Sequence, residues 1–139
     1  MAVKKMEFEV QTGGFCHLED VTTQVREALA KSGLRDGIAC VAVAGSTAGV
    51  STIEYEPGLL EDVPEFMERV APSRRRYHHD DTWQDGNGFS HVRSFLLKTS
   101  HCLPFSDGEL LLGTWQQIVL ADFDNRPRAR RIVVQLVGE

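Results

Sequence analysis

Histidine and amide side chains that could bind a metal ion or move protons are concentrated in one polar segment. His79 and Asn87 lie within the segment Ser73–Ser90, and His91 follows directly after it. Neutral imidazoles beside a carboxylate or amide can bind a divalent ion or act as general acid and base. None of the five histidines pairs at the HxxxH spacing of a helical metal site. A second interpretation, that these are solvated loop side chains, therefore stays open.

The carboxylates Glu54 and Glu56 form a second candidate for this chemistry, because they bracket Tyr55 on a predicted strand. Side chains two residues apart on a strand point to the same face. Such a pair could ligate Mg²⁺ or raise the pKa of one of its carboxyl groups. Asp122 and Asp124 have the same spacing. For both pairs, the exposed polar face of a strand is the alternative interpretation.

Small residues from Gly45 to Gly49 follow an apolar run and predict a loop that a ligand can approach closely. The hydroxyls of Ser46 and Thr47, together with exposed backbone amides, suit the oxygens of a phosphate or carboxylate. The loop is not a P-loop, because it lacks the lysine of the GxxxxGK[ST] motif. A tight turn between two strands would account for the same residues.

Arginines form two clusters, Arg74–Arg76 and a second one within Arg126–Arg131. Arginine holds phosphate through two parallel hydrogen bonds, and the first cluster flanks the histidine segment. A small phosphorylated molecule is therefore a candidate ligand. The alternative is that these arginines form surface ion pairs with the acidic excess of the chain.

The chain has 139 residues, which fits one domain over residues 1–139. Its formal net charge of −5 argues against broad nucleic-acid binding, which needs basic surfaces to neutralise phosphates. The three cysteines, Cys16, Cys40 and Cys102, form no CxxC pair, so neither a disulfide framework nor a thiolate zinc site is expected. Cys40 lies in an apolar run and is predicted to be a small buried side chain.

No segment has the pattern of a membrane anchor or a signal peptide. The longest apolar run, Ile38–Ala44, is far too short to span a bilayer. The alternating residues that follow Lys4 and Lys5 differ from the apolar core of a signal peptide. We therefore expect a cytoplasmic protein with no membrane partner.

The elements that must position these residues are about seven strands and two main helices. One helix is predicted over Val21–Ser32, with Asp20 as its N-cap and Gly33 as its C-cap, and a second contains Val63–Val70. The main strands are predicted at Met6–Thr12, Ile38–Ala44 (fully buried), Ser51–Tyr55, Trp115–Phe123 and Arg130–Val137. Ser73–Ser90 is predicted to be an irregular loop. Because the elements do not alternate as βαβ units, the predicted class is α+β with mostly antiparallel strands.

Several motifs of the chain resemble those of the YjbQ-like family, often labelled secondary thiamine-phosphate synthases. Gly113–Gln116 is similar to the GTWQ signature of that family. The other matches, in the family's order, are Thr47-Ala48 with Glu54, Tyr77-His78-His79, Asn87 through His91, the lead-in Ser100, Leu103, Phe105 and Gly108, Asp122-Phe123-Asp124, and Arg126 through Arg131. The order and spacing hold from about Gly37 to Glu139.

The resemblance implies an α+β fold with a β-sandwich core that assembles as a trimer about a threefold axis. It also implies a pocket formed by His79, His91, Asn87, Glu54 and the loop that contains Thr47. The two histidines would hold a divalent metal, Mg or Zn, and would act with Asn87 and Glu54 as the catalytic group. Further ligand contacts would come from Ser46, Thr47, Arg76, Thr114 and Gln116.

The activity that this resemblance implies joins a pyrimidine methyl diphosphate to a thiazole phosphate, with loss of pyrophosphate. A cation or arginines would stabilise the leaving group, and the pocket would orient both rings. One position departs from the family: many relatives have a histidine where this chain has Gly45. This departure favours an alternative function, a non-catalytic trimeric module that binds a metal, a small anion or both.

Overall fold

Eight strands and four helices form in the computed structural model, which describes the chain from Met1 to Glu139. The strands are β1 (Ala2–Thr12), β2 (His17–Asp20), β3 (Gly37–Val43), β4 (Ala48–Ile53), β5 (Ser100–Ser106), β6 (Glu109–Leu110), β7 (Gln117–Asp122) and β8 (Arg128–Gly138). The helices are α1 (Thr22–Ser32), α2 (Pro57–Val70), α3 (His78–Trp83) and α4 (Gly88–Leu97). The predicted α+β class is confirmed.

All strand pairs are antiparallel and belong to two sheets. The larger sheet has the order β1-β8-β3-β5-β6, and the smaller one has the order β2-β7-β4. The two longest strands, β1 and β8, pair over their whole length, from Ala2 opposite Gly138 to Thr12 opposite Arg128. This pairing places the end of β1 beside the beginning of β8, where the polar residues described below meet.

The main core lies between the two sheets and is closed on one side by α1. Alternate residues of β8, Ile132, Val134 and Leu136, point inward and are fully buried. They meet Ile118 and Leu120 of β7 from the opposite sheet. This arrangement follows from the two-residue period of strands, which places every second side chain on the core face.

The smaller sheet is covered on its outer face by α2 and neighbouring residues, so β7 is buried on both faces. Phe123 and Ala121 pack there against Met67 of α2.

In contrast, the prediction that Ile38–Ala44 is fully buried was wrong. Ile38 is 55% exposed, because no layer covers the outer face of the larger sheet at β3. Strand β3 is therefore buried on one face only.

Two further expectations about local structure need correction. The segment Ser73–Ser90 is not irregular throughout, because it contains α3 and the first turn of α4. The first turn of α3 is stabilised by Asp80, whose carboxylate accepts a hydrogen bond from the backbone N–H of Tyr77 at 3.3 Å. Trp115 precedes its strand, which begins at Gln117, and its side chain is exposed. The predicted C-cap of α1 is confirmed, since Gly33 has a left-handed conformation.

The four helices have at most 14 residues, the length of α2. None of them is long and apolar enough to cross a membrane.

Candidate functional site

A buried ion pair lies at the edge of the core, where β7 ends and β8 begins. Asp122 continues the row of Ile118 and Leu120, and Arg130 begins the row of Ile132. The Arg130 guanidinium donates to both carboxylate oxygens of Asp122, at 2.7 and 2.8 Å. Asp122 is completely buried, so this geometry compensates a charge that water does not reach.

Asp124 connects this ion pair to the rest of the site. Its Oδ2 accepts hydrogen bonds from Thr47 Oγ1 at 3.1 Å and from Arg128 Nε at 2.8 Å. Its Oδ1 accepts from Asn87 Nδ2 at 3.2 Å. Thr47 Oγ1 in turn accepts from Arg130 Nη2 at 2.6 Å. One buried carboxylate thus fixes the small-residue loop, the beginning of α4 and the β8 arginines to one another.

Both buried aspartates are held ionised by this network. Burial by itself raises the pKa of Asp122, but hydrogen bonds from Arg130, Thr12 and the backbone outweigh it and lower that pKa. Burial likewise raises the pKa of Asp124, and hydrogen bonds from Asn87, the Asn125 backbone and Arg128 outweigh it there. The site therefore carries two negative charges that are already partnered by arginines.

The two predicted histidine ligands meet in the structure. His79 lies near the beginning of α3, and His91 lies in α4. Their ring centroids are 4.2 Å apart, and the rings are tilted by 37°. The pKa of His91 is lowered by burial and by the neighbouring His79. His91 is consequently biased toward the neutral imidazole, which is the form that binds a metal.

Helix α4 is anchored by a buried arginine close to His91. The side chain of Arg93 is only 2% exposed, and its Nε donates to the carbonyl oxygen of Ala71 at 3.0 Å. Its Nη2 donates to Glu68 Oε1 at 2.8 Å. These bonds fix α4 to the end of α2, and they restrict the position from which His91 projects.

Two buried polar atoms beside the histidines have no hydrogen-bond partner: Nδ1 of His79 and Oδ1 of Asn87. Buried polar atoms are almost always paired, because an unpaired one costs free energy. The nearest carboxylate oxygens to His79 Nδ1 belong to Asp85, at 3.6 Å, and to Asp80, at 3.7 Å. Ligand atoms of His79, Asp80 and Asp85 all lie within 4.8 Å of one another, a spacing that suits a metal ion.

An open groove adjoins His91. It has a volume of about 440 Å³ and is lined by Gly45, Ser46, His91, Ser94, Phe95, Lys98 and Thr99. Ser46 is exposed toward this groove, whereas Thr47 is buried and fully engaged with Asp124 and Arg130. Of the two predicted loop contacts, only Ser46 is thus accessible to a ligand. Lys98 adds a positive charge that the sequence reasoning did not include.

The other predicted site residues do not join the histidines within one chain. Glu54, Thr114 and Gln116 line a separate, shallow surface with Trp115. Thr47 and Glu54 flank opposite ends of β4. At the usual rise per residue of a strand, their Cα atoms are roughly 23 Å apart. Gln116 is also engaged locally, since its side chain accepts from Gly113 N and donates to Thr52 Oγ1.

Arg76 is 81% exposed and forms an ion pair with Asp81 on the surface. Its guanidinium donates to both carboxylate oxygens of Asp81, at 2.8 and 2.7 Å. A phosphate that bound Arg76 would have to displace this carboxylate. Lys98 is therefore better placed than Arg76 for an anion in the groove beside His91.

The sequence did not predict that Asp122 and Asp124 form a buried network with Arg128 and Arg130. From the sequence, Asp122 and Asp124 could be a metal-binding or pKa-raised pair or an exposed polar face, and the arginines could hold phosphate or form surface ion pairs. The structure instead buries both aspartates beside arginines and lowers the pKa of each carboxyl group. The sequence did contain a signal for this. Asp122 and Arg130 lie an even number of residues from the core residues of their own strands, so their side chains point to the same buried face. Asp85 was also missed, and its spacing from His79 carries no recognisable signal.

The structure gives a physical reason for the glycine at position 45. Its φ angle of +138° lies in a region that residues with a side chain rarely adopt. A Cβ atom there would lie 2.9 Å from Arg130 Nη1. A histidine at this position would require the loop and the Arg130 side chain to move.

Comparison with known proteins gives one consistent result. The sequence model of the family described as UPF0047 protein YjbQ-like matches residues 6–139. A UPF0047 protein of Archaeoglobus fulgidus is 38% identical over 130 residues, which cover 94% of this chain and 98% of that protein. A UPF0047 protein of Methanothermobacter thermautotrophicus is 37% identical over 139 residues, which cover 100% of this chain and 95% of that protein.

Solved structures agree with this relationship. A YbjQ-like protein of unknown function from Sulfolobus solfataricus superposes with a TM-score of 0.89 at 31% identity, covering 99% of this chain and 100% of that chain. A hypothetical protein from Aeropyrum pernix superposes with a TM-score of 0.90 at 32% identity, covering 98% and 99%. From its sequence and its fold, this chain belongs to the YjbQ-like UPF0047 family.

Proposed function

We propose that this protein binds a divalent cation at His79 and His91 and a small phosphorylated molecule in the adjacent groove. The observation that carries the proposal is the unpartnered, buried Nδ1 of His79 beside the carboxylates of Asp80 and Asp85. A bound cation would satisfy this nitrogen and would offset the negative charge of the carboxylates. His91, whose ring contacts that of His79, would supply the second imidazole.

The donor set favours zinc over magnesium. Zn²⁺ accepts imidazole nitrogen and carboxylate oxygen, whereas Mg²⁺ prefers an octahedron of oxygen ligands. The oxygens of Asp80 already accept hydrogen bonds from the backbone N–H groups of Gly88 and Tyr77, which fixes this carboxylate in place. Asp85 is half exposed and has no such bond, so it is the more adaptable ligand.

The groove supplies the contacts for an anion. Ser46, Lys98 and Thr99 line the groove together with His91, and could offer it two hydroxyls and an ammonium group. Asn87 holds its amide against Asp124, which leaves its Oδ1 free for a ligand or a water. When bound, the cation would act as a Lewis acid toward phosphate oxygens.

The first test is zinc binding by isothermal titration calorimetry. We expect one zinc per chain for the wild-type protein and no measurable binding for a His79→Ala/His91→Ala variant, because both imidazole ligands are gone. His78→Ala is the matched control, since His78 is the exposed neighbour of His79 on the same helix and should leave binding unchanged. Equal binding by the wild-type protein and the double variant would contradict the proposal.

Within this proposal, the resemblance to the YjbQ-like family favours a transferase that joins a pyrimidine methyl diphosphate to a thiazole phosphate. The alternative is a binding module without turnover, which the glycine at position 45 favours. A zinc-loaded sample given both substrates separates the two. Release of one pyrophosphate per thiamine phosphate formed, lost in the His79→Ala/His91→Ala variant, supports the enzyme. Saturable binding of the thiazole phosphate without release of pyrophosphate supports the module.

We also propose the homotrimer that the resemblance implies. Every interface of a cyclic trimer joins two different patches, so each subunit needs two complementary exposed surfaces. Exposed aromatic residues flank both polar surfaces: Trp115 (71% exposed) lies beside Glu54, and Phe95 (86% exposed) lies beside His91. Contact between these surfaces would bring Glu54 of one protomer toward the histidines of its neighbour, which one chain alone cannot do.

The mass of the protein in solution checks this assembly. By size-exclusion chromatography with light scattering, we expect a particle of three 15.5-kDa chains for the wild-type protein. A charge at a buried apolar contact is costly, so Phe95→Asp and Trp115→Asp should each yield monomers. Val3→Asp is the control, because Val3 is exposed on the edge strand β1 and lines neither surface. A wild-type mass of one chain would disprove the trimer.

A further inference from the structure

Two cysteines that are far apart in the sequence lie directly opposite each other in the larger sheet. Cys40 of β3 is the register partner of Cys102 of β5. In the same pairing, Val43 N donates to the carbonyl oxygen of Thr99 at 2.9 Å. Val43 and Thr99 are therefore a hydrogen-bonded pair. Such pairs alternate with non-hydrogen-bonded pairs along antiparallel strands, and Cys40 and Cys102 lie three positions away, so they form a non-hydrogen-bonded pair.

This kind of pair brings two side chains as close as a sheet allows. Its Cα atoms are about 4.5 Å apart, and its side chains leave the sheet on the same side. Disulfides span Cα separations of about 4.4–6.8 Å, so the backbone already has a separation compatible with a bridge. Both thiols are free, and both are accessible: Cys40 is partly exposed and Cys102 is exposed.

We propose that Cys40 and Cys102 form a thiol pair that oxidises reversibly to a cross-strand disulfide, by exchange with a small-molecule disulfide. The Cys102 thiolate attacks one sulfur of that molecule, forming a mixed disulfide and releasing one thiolate. The Cys40 thiolate then attacks the Cys102 sulfur and releases the second. The two protein thiols lose two electrons and two protons, and the small disulfide is reduced to two thiols.

The third cysteine differs from this pair. Cys16 is buried in the smaller core, and burial raises its pKa to about 11, which leaves almost no thiolate near neutral pH. Burial, and then the neighbouring Cys102, also raise the pKa of Cys40. The exposed Cys102 is therefore the thiol that reacts first, and Cys40 is the one that closes the bridge.

The position of the pair links it to the groove, although the inference does not depend on the proposed function. Strand β3 leads into Gly45 and Ser46, and β5 begins directly after Lys98 and Thr99, all four of which line the groove. A bridge would cross-link the two strands from which these residues extend. Exposed disulfides are the labile kind, so the bridge should open again under reducing conditions.

The test exposes the folded wild-type protein to oxidised glutathione and follows its intact mass and its free thiols. We expect the reactive thiols to fall from the three cysteines of the chain to one, Cys16, counted after denaturation. The mass should fall by about 2 Da, the loss of two hydrogen atoms, and a reductant should restore it. Peptide mapping should recover Cys40 linked to Cys102.

Single variants identify the partners. Cys102→Ser should stop the mass decrease, Cys40→Ser should accumulate the mixed disulfide with glutathione, and Cys16→Ser should behave as the wild-type protein does. Circular dichroism of each variant checks that it is folded. The inference fails if wild-type protein accumulates only glutathione adducts, or if its disulfides join separate chains. Oxidation that persists in folded Cys40→Ser with loss of two hydrogens would equally overturn it.

Discussion

Replacing Arg130 by methionine should lower the free energy of unfolding by about 3–5 kcal/mol, the cost of removing one partner of a buried ion pair. Methionine keeps most of the volume but cannot donate a hydrogen bond. Asp122, which is completely buried, would lose two hydrogen bonds, and Thr47 would lose a third. Urea denaturation at pH 7 measures the change.

Arg131→Met is the matched control for this variant. Arg131 follows Arg130 on β8, but its side chain points outward and is exposed, opposite Glu9 of β1. Its replacement should change the free energy of unfolding by no more than about 0.5 kcal/mol. Equal effects of the two substitutions would show that the buried ion pair has no special role.

A double variant separates the lost charge pair from lost packing. Asp122→Leu combined with Arg130→Met removes both charges and replaces them with apolar groups. Replacing a whole buried ion pair by apolar residues is often close to neutral. We therefore expect the double variant to be more stable than Arg130→Met alone, although Thr12 loses its bond to Asp122. A further loss of stability on adding Asp122→Leu would argue against this interpretation.

Acid should destabilise the protein through the same two aspartates. Their hydrogen bonds lower the pKa of Asp122 and of Asp124 in the folded state, so the unfolded chain takes up protons first as the pH falls. Their stabilising contribution is fully present well above the pKa of an unfolded aspartate, about 3.9, and is lost as the pH falls through the lower folded values. Urea denaturation between pH 7 and pH 3 should show this decline.

Asp124→Asn should remove part of that acid dependence. At pH 7 it should cost about 2–3 kcal/mol of unfolding free energy, because Thr47, Asn87 and Arg128 all donate to this carboxylate. The variant should also lose less stability than the wild-type protein between pH 7 and pH 3. Asp81→Asn, which alters only the exposed pair with Arg76, is the control and should match the wild-type curve.

These two predictions bear on function as well as on stability. Asp124 connects Thr47 of the loop to Asn87 at the beginning of α4, so its loss should also disturb the histidine pair. Zinc affinity is therefore expected to fall in Asp124→Asn while the ligands themselves are unchanged. Unaltered zinc affinity in a destabilised Asp124→Asn protein would confine the network to a role in folding.

The amino-acid sequence by itself determined most of the secondary structure. Alternation in Met6–Thr12 and Arg130–Val137 predicted two strands, which pair as β1 and β8. Gly33 predicted the end of α1 correctly. These features are local, because the two-residue period of a strand and the left-handed cap of a helix depend on neighbours in the chain.

The sequence also supplied the histidine pair, though only as residues near one another along the chain. That His79 and His91 share a contact between two short helices depends on how α3 and α4 pack. The sequence did not predict α3, because this six-residue helix lies within a segment rich in polar residues and buries none of its side chains. Such segments give no periodic apolar signal.

Only the tertiary structure decided which faces are covered and which charges are paired. Asp124 contacts Thr47, which is 77 positions away in the sequence, and Asn87, which is 37 positions away. No local sequence pattern predicts contacts at such separations. Likewise, β3 and β7 are both apolar in sequence, yet only β7 lies between two layers. A strand's own residues set which side chains share a face, but the burial of that face depends on the elements that long-range packing places against it.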